Sequence, residues 1–579
     1  MCGIFALLNY LEFYYSNEHI EREFMKGKKR GPEFSKLDYS VAKNAIFGFH
    51  RLAINGLNQE SNQPFLIDDI MLICNGEIYN YKQLYKSMNI APKTDSDCEI
   101  IIHLYQRYGI EHTLTMLDGV YGFILCDIKL NKIIIARDPM GVRPLYCLST
   151  YNKSEDVDKI TSNIYGFASE LKCLSYFKQV GLSDKISHIS PGTYSIYEFT
   201  NHIWTPQIQN KPYYLPSIPH AILTNGFSVT ISEYQSRITE FLCSAVIKRC
   251  ETTERPVACL LSGGLDSSLI ASLVANYFRI EGNTIETYSI GLAESEDIKY
   301  ARVVADYIGS KHHEIIVTED DMFNAIPEVI EALESYDTTT IRASLGNYLI
   351  GKHIAKHSEA KVIFNGDGSD ELFGGYLYMN KCPDDIEFDK ETRRLLKDIH
   401  LFDVLRSDKS ISSNGLEPRT PFLDRSFVNS VLSVPAYFRN HNNFKESEKY
   451  LLRNSFSGKY FTNNNGRNIL PDEILWRKKE AFSDGVSSHG RSLYKILQEN
   501  IAEKLNKEQE ALQIRSINLE QDKAYVTFEA NIETEKIYYK RIFDKEFPNC
   551  SHILPYFWMP KYTNATDPSA RTLEIYKTD

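Results

Sequence analysis

Residues Ser262 to Ser268 read Ser-Gly-Gly-Leu-Asp-Ser-Ser, and this stretch decides the fold of the longer, C-terminal part of the chain. A short apolar run at 257–261 precedes it, and a helical pattern at 269–278 follows it. A strand, a glycine turn and a helix start in this order form a cradle for an anion, because glycine lets the backbone approach the ligand and the first N–H groups of the helix point at it. An acidic residue inside such a cradle calls for a cation, so Asp266 is predicted to bind Mg²⁺ on a polyphosphate.

The segments around this stretch predict an α/β domain. Strands are predicted at 256–262, 284–292 and 360–366, and they alternate with helices near 231–249, 265–278, 297–309 and 343–357. Such alternation is typical of a parallel, doubly wound sheet that binds ligands at the carboxyl ends of its strands. Residues from about 390 to 510 are predicted to be mostly helical.

The stretch 262–268 resembles the loop of the ATP-pyrophosphatase enzymes, which cleave ATP between its α and β phosphates. The competing interpretation is an ordinary Ser/Gly-rich turn before a helix, which explains fewer of the matched positions. The resemblance implies that the residues binding ATP are those in the loop and just before it, namely Leu260, Ser262, Gly263, Gly264, Asp266, Ser267 and Ser268.

Length and composition limit the classes of function. A chain of 579 residues is too long for one core, so two domains are expected, and 43% hydrophobic with 24% charged residues is typical of a soluble globular protein. The net charge of −11 disfavours nucleic acid or an anionic membrane as a partner, and no apolar run reaches the ~20 residues that span a bilayer. The eleven scattered cysteines favour a reducing cytoplasm. The sequence leaves open whether the chain forms a homodimer.

Up to about residue 210 the pattern is different, with short β-type runs, turn signals and few helices. It predicts an α+β domain with layered antiparallel sheets. A stretch with several prolines at 206–219 is predicted to be the linker, which divides the chain into domains at 1–210 and 211–579.

The chain begins Met1-Cys2-Gly3, which makes Cys2 a candidate nucleophile. Methionine before a small residue is normally removed, and the free α-amino group of Cys2, with a reference pKa near ~8, could then act as the base for its own thiol. The motifs that follow come in a set order: Arg30-Gly-Pro32, Arg51-Leu-Ala-Ile-Asn55, Asn75-Gly-Glu-Ile-Tyr-Asn80, Asp95-Ser-Asp97 and Arg137-Asp-Pro-Met-Gly141.

Together with Cys2, these motifs resemble the glutaminase domain of class II glutamine amidotransferases, which are N-terminal nucleophile hydrolases. The resemblance implies that Arg51 pairs with the α-carboxylate of glutamine and that Asp97 takes its α-ammonium group. The Asn75 side chain and the Gly76 N–H are suited to an oxyanion hole. The implied glutamine-binding set is Arg51, Leu52, Asn55, Asn75, Gly76, Glu77 and Asp97.

The segments after the phosphate loop resemble the synthetase domain of glutamine-hydrolysing asparagine synthetases. Ile290-Gly-Leu292, Asp337–Ser344 and Asn365–Gly375 carry the likeness, and so do later segments up to 567–571. The family implies a nucleotide contact at Ile290, Asn365 and Gly366, an aspartate site at Thr339, Thr340 and Arg342, and a second Mg²⁺ ligand at Asp370.

Two further residues are assigned to catalysis. Lys449 and Arg453 share one helix face, and Lys449 is expected to stabilise negative charge on the acyl-adenylate or on the leaving phosphate rather than to lie in solvent. Asp367 stands where the family usually has glutamate, the carboxylate that takes a proton as ammonia attacks. Aspartate is one methylene shorter, and the altered distance bears on efficiency and on the identity of the acceptor.

The implied reaction joins two activities. Cys2 releases ammonia from glutamine, Mg·ATP converts aspartate to β-aspartyl-AMP and pyrophosphate, and ammonia passes between the domains to give asparagine. The rival enzymes are an amidotransferase for another carboxylate and a ring-closing relative of the β-lactam synthetases, and Asp367 keeps the first of these open. A non-catalytic nucleotide or glutamine sensor is the rival from another class.

Overall fold

The two halves of the chain are built on different kinds of sheet. The computed structural model describes residues 1–10, 15–151, 163–177, 183–217, 230–463, 466–488, 490–517 and 527–577. Within these residues the N-terminal half has two antiparallel sheets, and the C-terminal half has one parallel sheet with many helices. The predicted fold class is therefore confirmed for both halves.

The N-terminal half has twelve strands and three helices among its described residues. The strands are β1 (Gly3–Leu8), β2 (Phe34–Asp38), β3 (Ala45–Arg51), β4 (Phe65–Ile67), β5 (Ile70–Ile78), β6 (Gly119–Asp127), β7 (Lys132–Arg137), β8 (Tyr146–Tyr151), β9 (Tyr165–Ala168), β10 (Ser183–His188), β11 (Thr193–Thr200) and β12 (Ile203–Pro212). The helices are α1 (Asn17–Met25), α2 (Tyr81–Met88) and α3 (Ile100–Met116).

These strands form two six-stranded sheets that pack face to face. Their orders are β10-β8-β9-β1-β3-β2 and β12-β11-β7-β6-β5-β4. Because side chains alternate along a strand, Ile4 and Ala6 of β1 join Met71 and Ile73 of β5 in the core between the sheets. The opposite side of the second sheet packs on α2 and α3. This layering brings Cys2, before β1, close to the middle of β5.

The predicted linker at 206–219 is wrong in its first part. Residues 206–212 belong to β12, which lies at the edge of its sheet and carries Pro206 and Pro212. An edge strand tolerates proline, because a missing N–H on the outer side breaks no ladder hydrogen bond. Residues 218 and 219 of the predicted linker lie outside the described residues.

The C-terminal half has five strands and seventeen helices within the described ranges. The strands are β13 (Val257–Leu260), β14 (Glu286–Leu292), β15 (Lys311–Val317), β16 (Val362–Phe364) and β17 (Glu417–Arg419). The helices are α4 (Ile231–Glu251), α5 (Leu265–Ile280), α6 (Glu296–Ile308), α7 (Glu319–Asn324), α8 (Ile326–Leu333), α9 (Thr338–His357), α10 (Ser369–Phe373), α11 (Asp385–Asp398), α12 (Asp403–Ser412), α13 (Arg425–Leu432), α14 (Ala436–Arg439), α15 (Tyr450–Ser455), α16 (Asp472–Leu475), α17 (Phe482–Gly485), α18 (Leu493–Ile517), α19 (Ile532–Glu546) and α20 (Glu574–Lys577).

The parallel sheet has the order β15-β14-β13-β16-β17, so β13 lies at its centre. The chain leaves β13 for β14 on one side and returns to β16 on the other. This reversal is the switch point at which open α/β sheets bind ligands beyond the carboxyl ends of their strands. The loop after β13 is residues 261–264, the start of the stretch that predicted the fold.

The two halves pack against each other through buried polar and apolar groups. Leu52 and Tyr79 of the N-terminal half share one hydrophobic cluster with Ile238 on α4. Arg30 Nη1 lies 2.7 Å from Asp408 Oδ1 on α12. None of the helices within the described ranges combines the length and the apolar character needed to cross a membrane.

Candidate active sites

Cys2 lies where three segments of the N-terminal half meet. Its backbone N–H donates to Asn75 Oδ1 on β5 at 3.1 Å, and its Sγ lies 3.8 Å from the carbonyl oxygen of Leu52, just after β3. Arg30 Nε donates to the carbonyl oxygen of Cys2 at 3.0 Å. Burial raises the pKa of the Cys2 thiol, although the positive N-terminus lowers it in part. A thiol in this state needs a base before it can attack a substrate.

The residues predicted to bind glutamine lie around this thiol. The buried guanidinium of Arg51, at the end of β3, donates to the carbonyl oxygen of Asn55 at 3.3 Å. Asn55 Nδ2 in turn donates to Glu77 Oε2 at 2.7 Å. Asp97 Oδ2 accepts the backbone N–H of Ile78 at 2.7 Å. The structure therefore ties the three motifs together through their polar groups.

Gly76 has a backbone position that no larger residue can take. A Cβ atom there would lie 2.5 Å from the carbonyl oxygen of Val120 and 2.7 Å from the Cβ of Tyr121 on the neighbouring β6. The adjacent Asn75 accepts from Cys2 with its oxygen, and its amide nitrogen, which donates to Ser169 Oγ at 3.4 Å, retains a second N–H for another acceptor. Together the two residues can supply a side-chain and a backbone donor to an oxyanion.

Burial dominates the electrostatics of this pocket. It raises the pKa of Asp97 to about 6, although the bond from Ile78 favours the charged form. Burial also raises the pKa of Glu77 well above its ordinary value, and the nearby charge of Asp97 adds to the effect. Arg419 Nη2, from the C-terminal half, lies 3.3 Å from Glu77 Oε2, and its positive charge opposes the rise in the pKa of Glu77.

The phosphate loop has the geometry that its sequence predicts. Gly263 has a φ of +72°, and a Cβ atom there would lie 2.5 Å from the backbone of Ala301. The backbone N–H of Ser262 donates to Ser267 Oγ at 3.2 Å, which closes the loop over the start of α5. At Gly366 a Cβ would lie 2.7 Å from the backbone nitrogen of Ser267. Close backbone approach therefore requires both glycines.

Four alternating charges lie beside this loop. Lys449 Nζ lies 2.6 Å from Asp266 Oδ2 and 2.6 Å from Asp370 Oδ1, and Lys479 Nζ lies 2.6 Å from Asp370 Oδ2 and 3.6 Å from Asp266 Oδ2. Burial alone would raise the pKa of Asp370, but the two lysines lower it below its ordinary value. Burial would lower the pKa of Lys479, and the two carboxylates raise it instead. The two predicted metal carboxylates thus lie within reach of a common cation.

Asp367 lies in the same cavity and is held by an arginine. Arg406 Nη2, on α12, lies 3.2 Å from Asp367 Oδ1 and 2.9 Å from Asp403 Oδ1. Burial raises the pKa of Asp367, and Arg406 opposes the increase. Asn365 Oδ1 accepts the backbone N–H of Asp367 at 3.3 Å. The carboxylate is therefore fixed at the cavity wall.

The three residues predicted to bind aspartate separate in the structure. Thr339 and Thr340, at the start of α9, line the cavity together with Ile290. Arg342 is not among the lining residues, because its guanidinium pairs with Asp567 at 2.7 Å and also with Glu535. This geometry does not support the predicted contact of Arg342 with the substrate. The two carboxylates come from the C-terminal tail, whose packing the sequence did not predict.

Sequence reasoning missed two charged residues of the cavity. Lys479 belongs to the short basic run at 477–479, and such a run by itself does not distinguish a solvated face from part of a site. Arg406 lies in a segment predicted only as helical. Both become recognisable from the structure, because each faces a carboxylate that the motifs had already singled out.

The fold and these sites define a class, the two-domain glutamine amidotransferases whose second half uses a nucleotide. Residues 1–206 match the family model described as glutamine amidotransferase domain. Residues 237–387 and 380–553 match the family model described as asparagine synthase.

Full-length relatives define the family more narrowly. The glutamine-hydrolysing asparagine synthetase of Gallus gallus is 40% identical over 100% of this chain and 99% of its own length, and that of Homo sapiens is 37% identical over the same shares. This chain belongs to the family of glutamine-hydrolysing asparagine synthetases. The solved structure of a glutamine phosphoribosylpyrophosphate amidotransferase from B. subtilis is 17% identical and covers 54% of this chain and 81% of that one, with a TM-score of 0.28 that is too low to bear on function.

Proposed function

We propose that this chain makes asparagine from aspartate, ATP and glutamine, and that the residues described above carry the two half-reactions. The meeting of Asp266 and Asp370 at the phosphate loop is the observation that carries the proposal. It provides a place for a metal-bound triphosphate in the same chain as the Cys2 thiol. Membership of the asparagine synthetase family supports the assignment of the substrates.

In the N-terminal half, we assign the attack on glutamine to Cys2. Removal of Met1 would free the α-amino group of Cys2, which then takes the thiol proton. The thiolate attacks the side-chain amide carbon, and Asn75 and the Gly76 N–H stabilise the oxyanion. Ammonia leaves, and water hydrolyses the thioester to glutamate. Arg51 and Asp97, with Leu52, Asn55 and Glu77, hold the α-carboxylate and α-ammonium ends of the substrate.

In the C-terminal half, the loop residues and Ile290, Asn365 and Gly366 would bind ATP. The donor set fits Mg²⁺, because Asp266 and Asp370 offer two hard oxygen ligands and the phosphates supply others. When bound there, Mg²⁺ would neutralise charge on the phosphates as they separate. Lys449 and Lys479 would exchange their carboxylate partners for phosphate oxygens and hold the leaving pyrophosphate.

The acceptor is placed at the end of the cavity lined by Thr339, Thr340 and Arg406. Its β-carboxylate attacks the α-phosphorus of ATP to give β-aspartyl-AMP, and ammonia then attacks the activated carbonyl. Asp367 is the base that takes the proton from the attacking nitrogen, and Arg406 holds it in position. In this proposal Arg406 replaces Arg342 as the cation of the acceptor site.

Ammonia must pass from one site to the other without meeting bulk water. Arg30 bonds to the carbonyl oxygen of Cys2 and to Asp408 of α12, the helix that also carries Arg406. We place the route along this interface.

We also place the boundary between the domains at about residue 210, close to the end of β12. We place the reaction in the cytoplasm, because all eleven cysteines are free thiols.

The test uses the full chain, Mg·ATP, aspartate and glutamine labelled with ¹⁵N in its side-chain amide. Mass spectrometry then follows ¹⁵N-asparagine, AMP and pyrophosphate together. All three are expected in equal amounts. AMP and pyrophosphate without labelled asparagine would contradict the assignment of Asp367 or of the ammonia route, and absence of AMP would contradict aspartate as the acceptor.

A further inference from the structure

The last part of the chain reaches into the synthetase cavity. We call residues 551–573 the C-terminal strap. Trp558 in this strap is one of the residues that line the cavity, together with Thr339, Tyr376 and Phe402. Trp558 and Phe402 share one hydrophobic cluster, and Phe402 directly precedes Asp403, which pairs with the arginine that holds Asp367.

The strap is tied to the cavity walls by buried charges. Asp567 pairs with Arg342 on α9, the helix whose first turn carries Thr339. Arg571 Nη2 lies 2.6 Å from Glu480 Oε1, the residue that follows Lys479. Breaking such buried pairs by removing one partner is costly, so the strap is a fixed part of the synthetase half.

The backbone of Trp558 is held by a hydrogen bond, whereas its indole nitrogen has no partner among the described residues. Its backbone N–H donates to Asp337 Oδ1 at 2.8 Å, and the other oxygen of Asp337 accepts the backbone N–H of Thr340 at 2.8 Å. One carboxylate thus positions both the tryptophan and the first turn of α9. The indole packs on Tyr376, with ring centroids 5.2 Å apart, and only 6% of the residue is exposed.

Two polar atoms of this part of the cavity wall are buried without a partner. Within the described ranges, no group accepts a hydrogen bond from Trp558 Nε1, and none pairs with Thr339 Oγ1. A buried donor without an acceptor is unfavourable, so such groups usually mark a missing partner. Indole nitrogen is only a donor, and an acceptor such as a carboxylate would satisfy it.

We propose that Trp558 is a specificity-determining residue for the acceptor, whose ring closes that part of the cavity and whose indole N–H donates to the β-carboxylate of the bound amino acid. The inference rests on the proposed function, because it takes aspartate to be the acceptor. It adds a contact from a residue that belongs to none of the motifs quoted from the sequence. A buried N–H donor makes a stronger hydrogen bond to a carboxylate than to an amide, because the amide oxygen is a neutral and weaker acceptor.

Trp558→Phe keeps the ring and removes the donor. We expect the KM for aspartate to rise about tenfold or more, the size expected when a hydrogen bond to a charged group is lost, while the KM for ATP stays within about twofold. Trp476→Phe is the matched control, because Trp476 is half-exposed and is not a lining residue. A melting temperature equal to that of the wild-type chain, together with the retained KM for ATP, reports that the synthetase half of the variant has folded.

A second measurement does not depend on turnover. In the Trp204→Phe/Trp476→Phe variant, Trp558 is the only tryptophan, because the chain has three. Aspartate is expected to change its fluorescence in a saturable way, and asparagine is expected to do so only at much higher concentration. An unchanged KM for aspartate in Trp558→Phe, or a fluorescence signal that ignores aspartate, would overturn the inference while asparagine synthesis by the wild-type chain continued. A wild-type chain that made no asparagine would instead overturn the proposed function and this inference with it.

Discussion

The two active sites are assembled in different ways. The glutaminase site is built from a few short motifs of the N-terminal half, and neighbouring strands and backbone bonds hold them together, as in the pair of Cys2 with Asn75. The synthetase site gathers the loop after β13, the start of α9, α12, Lys449, Lys479 and the strap. Burial raises the pKa values of the carboxyl groups in the glutaminase site, whereas two lysines lower the pKa of Asp370 in the synthetase site. The protonation of carboxyl groups is therefore governed by burial away from water in the first site and by neighbouring positive charges in the second.

The difference predicts how substitutions separate the activities. A substitution of Cys2 should abolish the use of glutamine and leave the synthetase half active, since each site has its own sheet and most of its own core. A change among the four charges should affect only nucleotide chemistry. Each of the following experiments tests this separation, beginning with the largest effect.

Cys2→Ala removes the nucleophile. We expect glutamine-dependent synthesis to fall by at least about 10³-fold, because no other group forms the thioester. Ammonia-dependent synthesis should remain, measured as asparagine formed from ammonium chloride. Loss of both activities in a variant with wild-type thermal stability would show that the two sites are not separate.

Lys479→Ala removes one of the two cations among the four charges. Pyrophosphate release should fall by about 10²–10³-fold, because the developing charge loses a fixed donor. Glutamine hydrolysis should not change. Lys459→Ala is the control, since Lys459 is exposed and is not a lining residue of the cavity. Equal rates for the Lys479 variant and this control would refute a role for Lys479 in the chemistry.

Asp367→Asn removes the proposed base and keeps its size. We expect the adenylate to form, and the transfer of nitrogen to it to slow by about 10²-fold. The readout is the ratio of asparagine to AMP, which should fall below one. A ratio that stays at one would assign the proton to another group.

Arg342→Gln and Arg406→Gln compare two arginines of the same half. The first leaves Glu535 and Asp567 buried without their cation, and about 3–5 kcal/mol of unfolding free energy should be lost. The second should cost less stability, because its partners Asp367 and Asp403 are more exposed than Glu535 and Asp567, and it should raise the KM for aspartate. Thermal melts and aspartate titrations of both variants decide between them. The reverse pattern would restore the role that the family motif implied for Arg342.

The smallest effect is one of pH. Asp97 has a pKa raised to about 6, so it loses its charge as the pH falls through that value, and the KM for glutamine should rise about tenfold toward pH 5. Asp97→Asn should show a high KM that no longer varies over this range. Because the pKa is higher in the folded than in the unfolded chain, protonation of Asp97 favours the folded state, so the loss of affinity is not unfolding. A melting temperature that fell in parallel with affinity would contradict this explanation.

Prediction from the sequence succeeded where chemistry lies in short motifs. The strand, turn and helix around 262–268 and the period-2 strands of the N-terminal half determined both sheet types, because local patterns specify local elements. Lys479 and Arg406 could not be assigned in this way, since their partners lie more than a hundred and about forty residues away, at Asp370 and Asp367 respectively. Trp558 depends on the packing of a tail that has no periodic pattern.

The two lysines between Asp266 and Asp370 have a consequence for how the nucleotide enters. Before a nucleotide binds, these two lysines and two aspartates already pair with one another. Under the proposed function, phosphate oxygens would take over the two lysines and a Mg²⁺ ion would take over the two carboxylates. Binding would then break the existing ion pairs and form new ones. Its net free energy is therefore smaller than the new contacts alone would give, which favours release of the products after the reaction.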